Sequence, residues 1–241
     1  METTSVLLER REDGIAVLRL DRPQVRNAMD SATIAQLRGA LAQLAADGAV
    51  RVVVLSTTSE RALCAGADVA EPLDRDAGVA RMEAFARLYM ELDAFPVPTI
   101  CVCVGNVVGA GAEVAAGCDL RVGGDNLRLA WAGARLGVPV GPARLVPLVG
   151  LGIAKDWIYS GRAIGMDEAA AARFLQRTAP AAQAEAVALE LAAELAAHPS
   201  PGLRELKAMF RAYERLAERI TDENERLVTF QRHGAGLPQR R

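Results

Sequence analysis

The stretch 105–119, GNVVGAGAEVAAGCD, constrains this chain more than any other. An apolar run over 100–104 leads into it and reads as a strand. The glycines that follow let the backbone turn tightly and approach a ligand closely. The small residues from Gly109 onward predict a helix that starts there. A helix start carries unpaired N–H groups and partial positive charge, which suits negative charge developing on a substrate oxygen. Glu113 falls about one turn into that helix, surrounded by Ala, Val and Gly. Acids in such surroundings are costly to bury and tend to mark sites. The competing reading is a structural glutamate held by backbone or by an arginine.

The remaining composition narrows the function classes. Lys+Arg 28 against Asp+Glu 30 leaves no basic excess for nucleic acid or an anionic membrane. Cys64, Cys101, Cys103 and Cys118 form no C-x-x-C pair, and the two histidines, His198 and His233, come late, so no metal site is expected. The thiols sit among apolar or small residues, as buried free cysteines of a reducing, cytoplasmic protein do. The charged N-terminal residues lack an apolar h-region, which argues against a signal peptide. The apolar stretch 97–122 is interrupted by Pro98, Asn106, Glu113 and Asp119, which argues against a spanning helix.

Strands are predicted over 6–9 and 15–20, then a loop over 21–28. Ser31 is the predicted cap of a helix over 32–46, with Ile34, Leu37, Leu41 and Leu44 on one face. The run 50–55 reads as a strand covered on both faces. A second small-residue loop, 61–69, follows it. A helix over 82–92, stopped by Pro96 and Pro98, precedes the strand 99–104; further strands are expected over 119–122 and 127–130, and helices over 143–148 and 152–160. Beyond Pro180 the pattern is helical, over 182–197, 203–216 and 222–230. The division is an α/β core over residues 1–180 and a helical module over 181–241.

Taken together, Cys64-Ala65-Gly66-Ala67-Asp68 and Gly109-Ala110-Gly111-Ala112-Glu113 with Cys118-Asp119-Leu120-Arg121 resemble the signature of the enoyl-CoA hydratase/isomerase (crotonase) family. Arg22-Pro23 with Arg26-Asn27-Ala28, Arg144-Leu145 with Gly150, and Ser160-Gly161-Arg162 resemble its other marks, in the same order. The resemblance implies a crotonase-like ββα spiral with C-terminal helices that assemble trimers or paired trimers. It implies an acyl-CoA substrate of fatty acid metabolism, with coenzyme A as part of the substrate and no other cofactor. The backbone N–H groups of Ala67 and Ala110 would hold the thioester oxygen as an enolate forms. Two such donors contribute about 3 kcal/mol each in the transition state. Glu113 would be the acid/base of this lyase or isomerase. CoA would lie along Val25, Arg26, Ala65, Gly66, Gly109 and Gly133, with Asp68 fixing the loop and Phe230 touching CoA; His233 falls near a lysine that binds phosphate in the family.

The chain departs from that pattern in two places. Where hydratases of the family carry a second glutamate, this chain has Gly133, and the loop over 138–142 is shortened. Hydration needs a base for water and an acid for Cα. Glu71, Asp74 and Asp76 are the acids whose loop could supply the missing group, and Arg135 or Arg144 could face a substrate carboxylate. The sequence therefore leaves two readings open: an enolate-forming enzyme working with Glu113 alone, and a non-catalytic or weakly active acyl-CoA binder. A dinucleotide-binding motif is excluded, because Val114 stands where its third glycine belongs.

Overall fold

The computed structural model describes residues 4–237. Its repeating unit gives one strand to a large sheet, one to a small sheet, and then a helix. β3 (Val52–Thr57), β4 (Ala62–Cys64) and α2 (Arg75–Asp93) form one such unit. β5 (Thr99–Cys103), β6 (Asn106–Val108) and α3 (Ala110–Gly117) form the next, and β7 (Leu120–Gly124) with β8 (Arg128–Ala130) begins a third. With β1 (Val6–Arg10), β2 (Ile15–Leu20) and β9 (Arg177–Ala179), the large sheet runs β1-β2-β3-β5-β7-β9, and the small one runs β4-β6-β8. Among the described strand pairs, only β1–β2 is antiparallel. This is the expected ββα spiral.

The large sheet is covered on both faces, as its near-continuous apolar strands require. Ile15, Val17, Val52, Val54, Ile100 and Val102 point to one core, and Ala16, Leu18, Val53, Leu55, Cys101 and Cys103 to the other. The second face packs on α1 (Ser31–Ala46) and α2. The first is covered by α7 (Ala184–Ala196), whose inward residues Ala184, Ala188 and Ala192 let the helix sit close to the sheet. α4 (Pro142–Val149), α5 (Leu151–Ser160), α6 (Met166–Ala171), α8 (Ser200–Tyr213) and α9 (Leu216–His233) complete the order. α9 returns across α2 and α4, which brings a C-terminal segment back to the neighbourhood of α3.

Several boundaries differ from expectation for local reasons. Asp30, not Ser31, caps α1: its carboxylate accepts from the Thr33 N–H at 2.8 Å. α2 starts seven residues before Met82, at Arg75, because Asp74 caps it by accepting from the Ala77 N–H at 2.8 Å; its polar first turns hide the periodicity. The short strands β4, β6 and β9 have three residues each, too few to show alternation. All four cysteines are buried and free. No helix among the described residues is long and apolar enough to cross a membrane.

Candidate active site

Two loops meet where the small sheet ends. β4 runs into Ala65–Asp68, and β6 runs into Gly109 and α3. Gly109 takes φ +53 and Gly66 φ +110, conformations that favour glycine. A Cβ on Gly109 would lie 3.9 Å from the Cα of Gly66, so the two backbones abut. A Cβ on Gly111 would collide with the carbonyl oxygen of Cys64, so only glycine lets α3 press this closely on β4.

This packing leaves two donors free. Ala110 is the first residue of α3, where N–H groups lack partners within the helix. Ala67 bridges Met29 in parallel, and the bonds of that bridge are made by its neighbours: the Met29 N–H donates to the Gly66 carbonyl and the Asp68 N–H to the Met29 carbonyl. Among the described residues, neither the Ala67 nor the Ala110 N–H has an acceptor. Both residues line one cavity of about 210 Å³. Its other walls are apolar, with Met82, Phe85 and Tyr89 from α2, Trp131, and Leu227 from α9.

Glu113 does not line that cavity. It is 1% exposed, and both of its oxygens are engaged. Oε1 accepts from the Trp131 indole N–H at 2.7 Å and Oε2 from Arg144 Nε at 2.6 Å. The same guanidinium donates to Glu223 Oε1 at 2.8 Å, and Glu223 Oε2 accepts from the Ala143 N–H at 2.7 Å. Arg144 also lies 4.6 Å over the ring of Tyr89. One cation thus stands between two buried carboxylates. Burial, followed by the charge of Glu113, pushes Glu223 up to about 7, against the pull of Arg144 and of the Ala143 and Gly141 N–H groups. The Tyr89 hydroxyl is held well above its ordinary value, first by burial and then by Glu113, so it stays neutral. Behind Trp131, Trp157 stacks at 6.2 Å and Phe174 meets it edge-on at 5.8 Å, fixing the indole.

The enoyl-CoA hydratase/isomerase family model matches residues 10–234. This chain belongs to the enoyl-CoA hydratase/isomerase family. It is 32% identical over 216 residues to 2,3-dehydroadipyl-CoA hydratase of Escherichia coli K12, covering 88% of this chain and 84% of that protein. A crystal structure titled as an enoyl-CoA hydratase from Mycobacterium avium superposes with a TM-score of 0.81 at 28% identity, over 94% of this chain and 89% of that one. The fold is matched again by an enoyl-CoA hydratase/isomerase from Xanthobacter autotrophicus Py2, at a TM-score of 0.87 and 24% identity, over 98% of this chain and 90% of that one.

Of the residues the resemblance singles out, Ala65, Gly66, Ala67, Gly109, Ala110 and Gly133 line the cavity together. Val25 and Arg26 lie outside it, exposed on the loop after β2; the Arg26 carbonyl accepts from the Ala65 N–H at 3.0 Å. Asp68 is tied to Arg22 at 3.2 Å and accepts from the Ala70 N–H at 3.0 Å, which fixes its loop. Phe230 is half-buried and lines a separate groove with Asp222, Arg226 and Thr229. None of the acids expected to replace the second glutamate reaches the cavity. Asp74 caps α2, Asp76 stands in its first turn, and Glu71 pairs with Arg81 at 2.9 Å and accepts from the Ser31 N–H. Arg144 faces Glu113 and Glu223, and Arg135 donates to the Ser160 carbonyl. Sequence reasoning missed Trp131, Tyr89 and Glu223. A signal existed for Trp131: a buried indole N–H needs an acceptor, and Glu113 is a buried acceptor in the preceding unit. Among the described residues no group of His, Cys, Asp and Glu could hold a metal ion.

Proposed function

We propose that this chain binds an acyl-CoA thioester in the 210 Å³ cavity, polarises its carbonyl with the Ala67 and Ala110 N–H groups, and does not hydrate enoyl double bonds. The observation that carries this reading is the pairing of Glu113: both oxygens are taken by Trp131 and Arg144, and among the described residues no carboxylate lines the cavity. Hydration requires a base for water and an acid for Cα. Among the described residues, the one side-chain hydroxyl in the walls is that of the neutral Tyr89. Two preorganised donors remain, enough to hold a thioester oxygen. The apolar walls suit an uncharged acyl chain, and CoA would leave past Ala65 toward Val25 and Arg26. The names of the relatives support the ligand class. Self-association as a trimer or paired trimers belongs to the same proposal. It is supported by an exposed apolar stripe on α8, Leu206, Met209, Phe210 and Tyr213, at helical spacing.

A second reading has one observation in its favour. Glu223 offers Arg144 another partner, so Arg144 can turn away and free Glu113, one helical turn from Ala110, to shuttle a proton. Calorimetric binding of butyryl-CoA and turnover of crotonyl-CoA, for wild type and Glu113→Gln, separate the two. Saturable binding by both proteins without hydration is expected. Turnover that disappears in the variant, with binding kept, would establish the second reading. No binding to wild type would sink both.

A further inference from the structure

The wall of the 210 Å³ cavity is closed by a residue from beyond the last helix. Leu237 lines it together with Met82 and Phe85 of α2 and Leu227 of α9. α9 ends at His233, so the strap Gly234-Ala235-Gly236-Leu237 carries that side chain back over the fold. Leu237 is half-buried and packs against the main core cluster. Gly236 turns the strap at φ +70, a conformation that favours glycine.

One side chain docks the strap. The Gln231 amide lies between Gly78 of α2 and Gly236: a Cβ on either glycine would lie 2.9 Å from its Nε2. Its Oε1 accepts from the Leu237 N–H at 2.9 Å. Among the described residues, this is the one hydrogen bond made by Ala235, Gly236 or Leu237. A segment with two glycines loses much backbone freedom on ordering, and one hydrogen bond offsets little of that. The apolar contact of Leu237 is what keeps the strap down. That contact is made in the space an acyl chain would fill. On the reading above, CoA leaves past Ala65, after β4, whereas Leu237 stands on the side of α2 and α9.

We propose that Leu237 determines specificity for acyl-chain length: an acyl group that ends short of it binds with the strap in place, and a longer one must lift the strap to enter. The inference rests on the acyl-CoA reading above and names short-chain acyl thioesters as the ligands. Each methylene buried in an apolar site strengthens binding about fourfold. A methylene that buries itself by unburying Leu237 gains nothing on balance. Affinity therefore levels off at the chain length where the two meet.

The test is calorimetric titration of wild type, Leu237→Gly and Gln231→Ala with acetyl-, butyryl-, hexanoyl- and octanoyl-CoA, after thermal melts establish which proteins fold. On wild type, affinity should rise with the first methylenes and then level off, with octanoyl-CoA bound no more than about threefold more tightly than butyryl-CoA. In Leu237→Gly the rise should continue, so that the ratio of octanoyl-CoA to butyryl-CoA affinity grows about tenfold or more, while acetyl-CoA binds both proteins alike. Gln231→Ala should move the ratio in the same direction but by less, since it frees the strap and keeps the leucine. If Leu237→Gly does not fold, the ratio in Gln231→Ala decides. A ratio equal to that of wild type overturns the inference and leaves the thioester reading intact. An equal shift at every chain length overturns it too, because it places Leu237 over the pantetheine arm. If none of the four thioesters binds wild type or either variant, the thioester reading fails, and this inference with it.

Discussion

Glu113→Gln tests whether the buried acid is a strut or a reagent. Both groups facing its oxygens are donors, the Trp131 indole N–H and Arg144 Nε. Glutamine has one acceptor oxygen and one NH₂, so in either orientation an N–H is driven against an N–H. An orphaned buried donor costs about 1–3 kcal/mol. Removing one partner of a buried ion pair costs about 3–5 kcal/mol when the other charge is left uncompensated. Here Glu223 still compensates Arg144, and loss of the Glu113 charge removes one cause of the raised Glu223 value. The expected loss is therefore near the lower end, about 3 kcal/mol. In a chain of this size that lowers Tm by roughly 6–12 °C. Circular dichroism melts measure it, and calorimetry on the same samples measures butyryl-CoA binding, which should be unchanged below the melt. A variant as stable as wild type that has lost a measurable turnover would refute the reasoning, since it would mean the carboxylate is free to react.

Ala110→Pro removes one of the two proposed oxyanion donors at the first position of α3, where a helix tolerates proline well. Stability should change by less than about 1 kcal/mol, within the range of ordinary substitutions. The infrared carbonyl band of bound butyryl-CoA should move back toward its free frequency; a band that does not move refutes the role of Ala110. Gly133→Glu should not restore hydration, because a Cβ at 133 would lie 2.9 Å from the Val138 carbonyl oxygen, which belongs to the shortened loop. Crotonyl-CoA hydration by that variant would contradict this expectation. Glu223 titrates at about 7 in the fold against an ordinary 4.5, so its acid form is the favoured one. The folded protein then holds more protons than the unfolded chain between those values, and stability falls as pH rises from about 4.5 to 7, by about 3 kcal/mol in all. Glu223→Gln, which mimics the acid form, should flatten that slope in melts taken across the range; parallel curves would refute it.

The ββα spiral was legible because its strands are short apolar runs and its turns carry glycines in family order. The two unpaired N–H groups that face one cavity, those of Ala67 and Ala110, were legible for a related reason. Backbone donors depend on where the chain bends, and Gly66 and Gly109 announce the bends. Glu113 was legible only as a buried acid, with its two readings undecided. Which reading holds depends on Arg144 and Glu223, which lie 31 and 110 residues further along and meet it only when α4 and α9 close over α3. Side-chain pairs at that separation leave no periodic trace in a single sequence. The acids at 71, 74 and 76 misled for a simpler reason. A polar segment before a helix looks like a free loop, whereas here it is capping and pairing machinery.

The two departures from the family pattern are better understood as one. With no acid at 133, nothing in the cavity wall has to be kept near Glu113. The shortened loop then closes on Gly133, whose carbonyl accepts from the Val138 N–H at 2.8 Å. The loop's end carries Arg144 inward on α4. An arginine brought that deep needs a carboxylate, and Glu113 is the one within reach; its second oxygen is taken by Trp131. A single positive charge between two acids still leaves the cluster one charge short of neutral. The raised Glu223 value is how the fold accommodates that excess near neutral pH. On the proposed reading, Glu113 keeps its place on α3 while its work there is to hold α4, and through Arg144 and Glu223 α9, against the wall of the cavity.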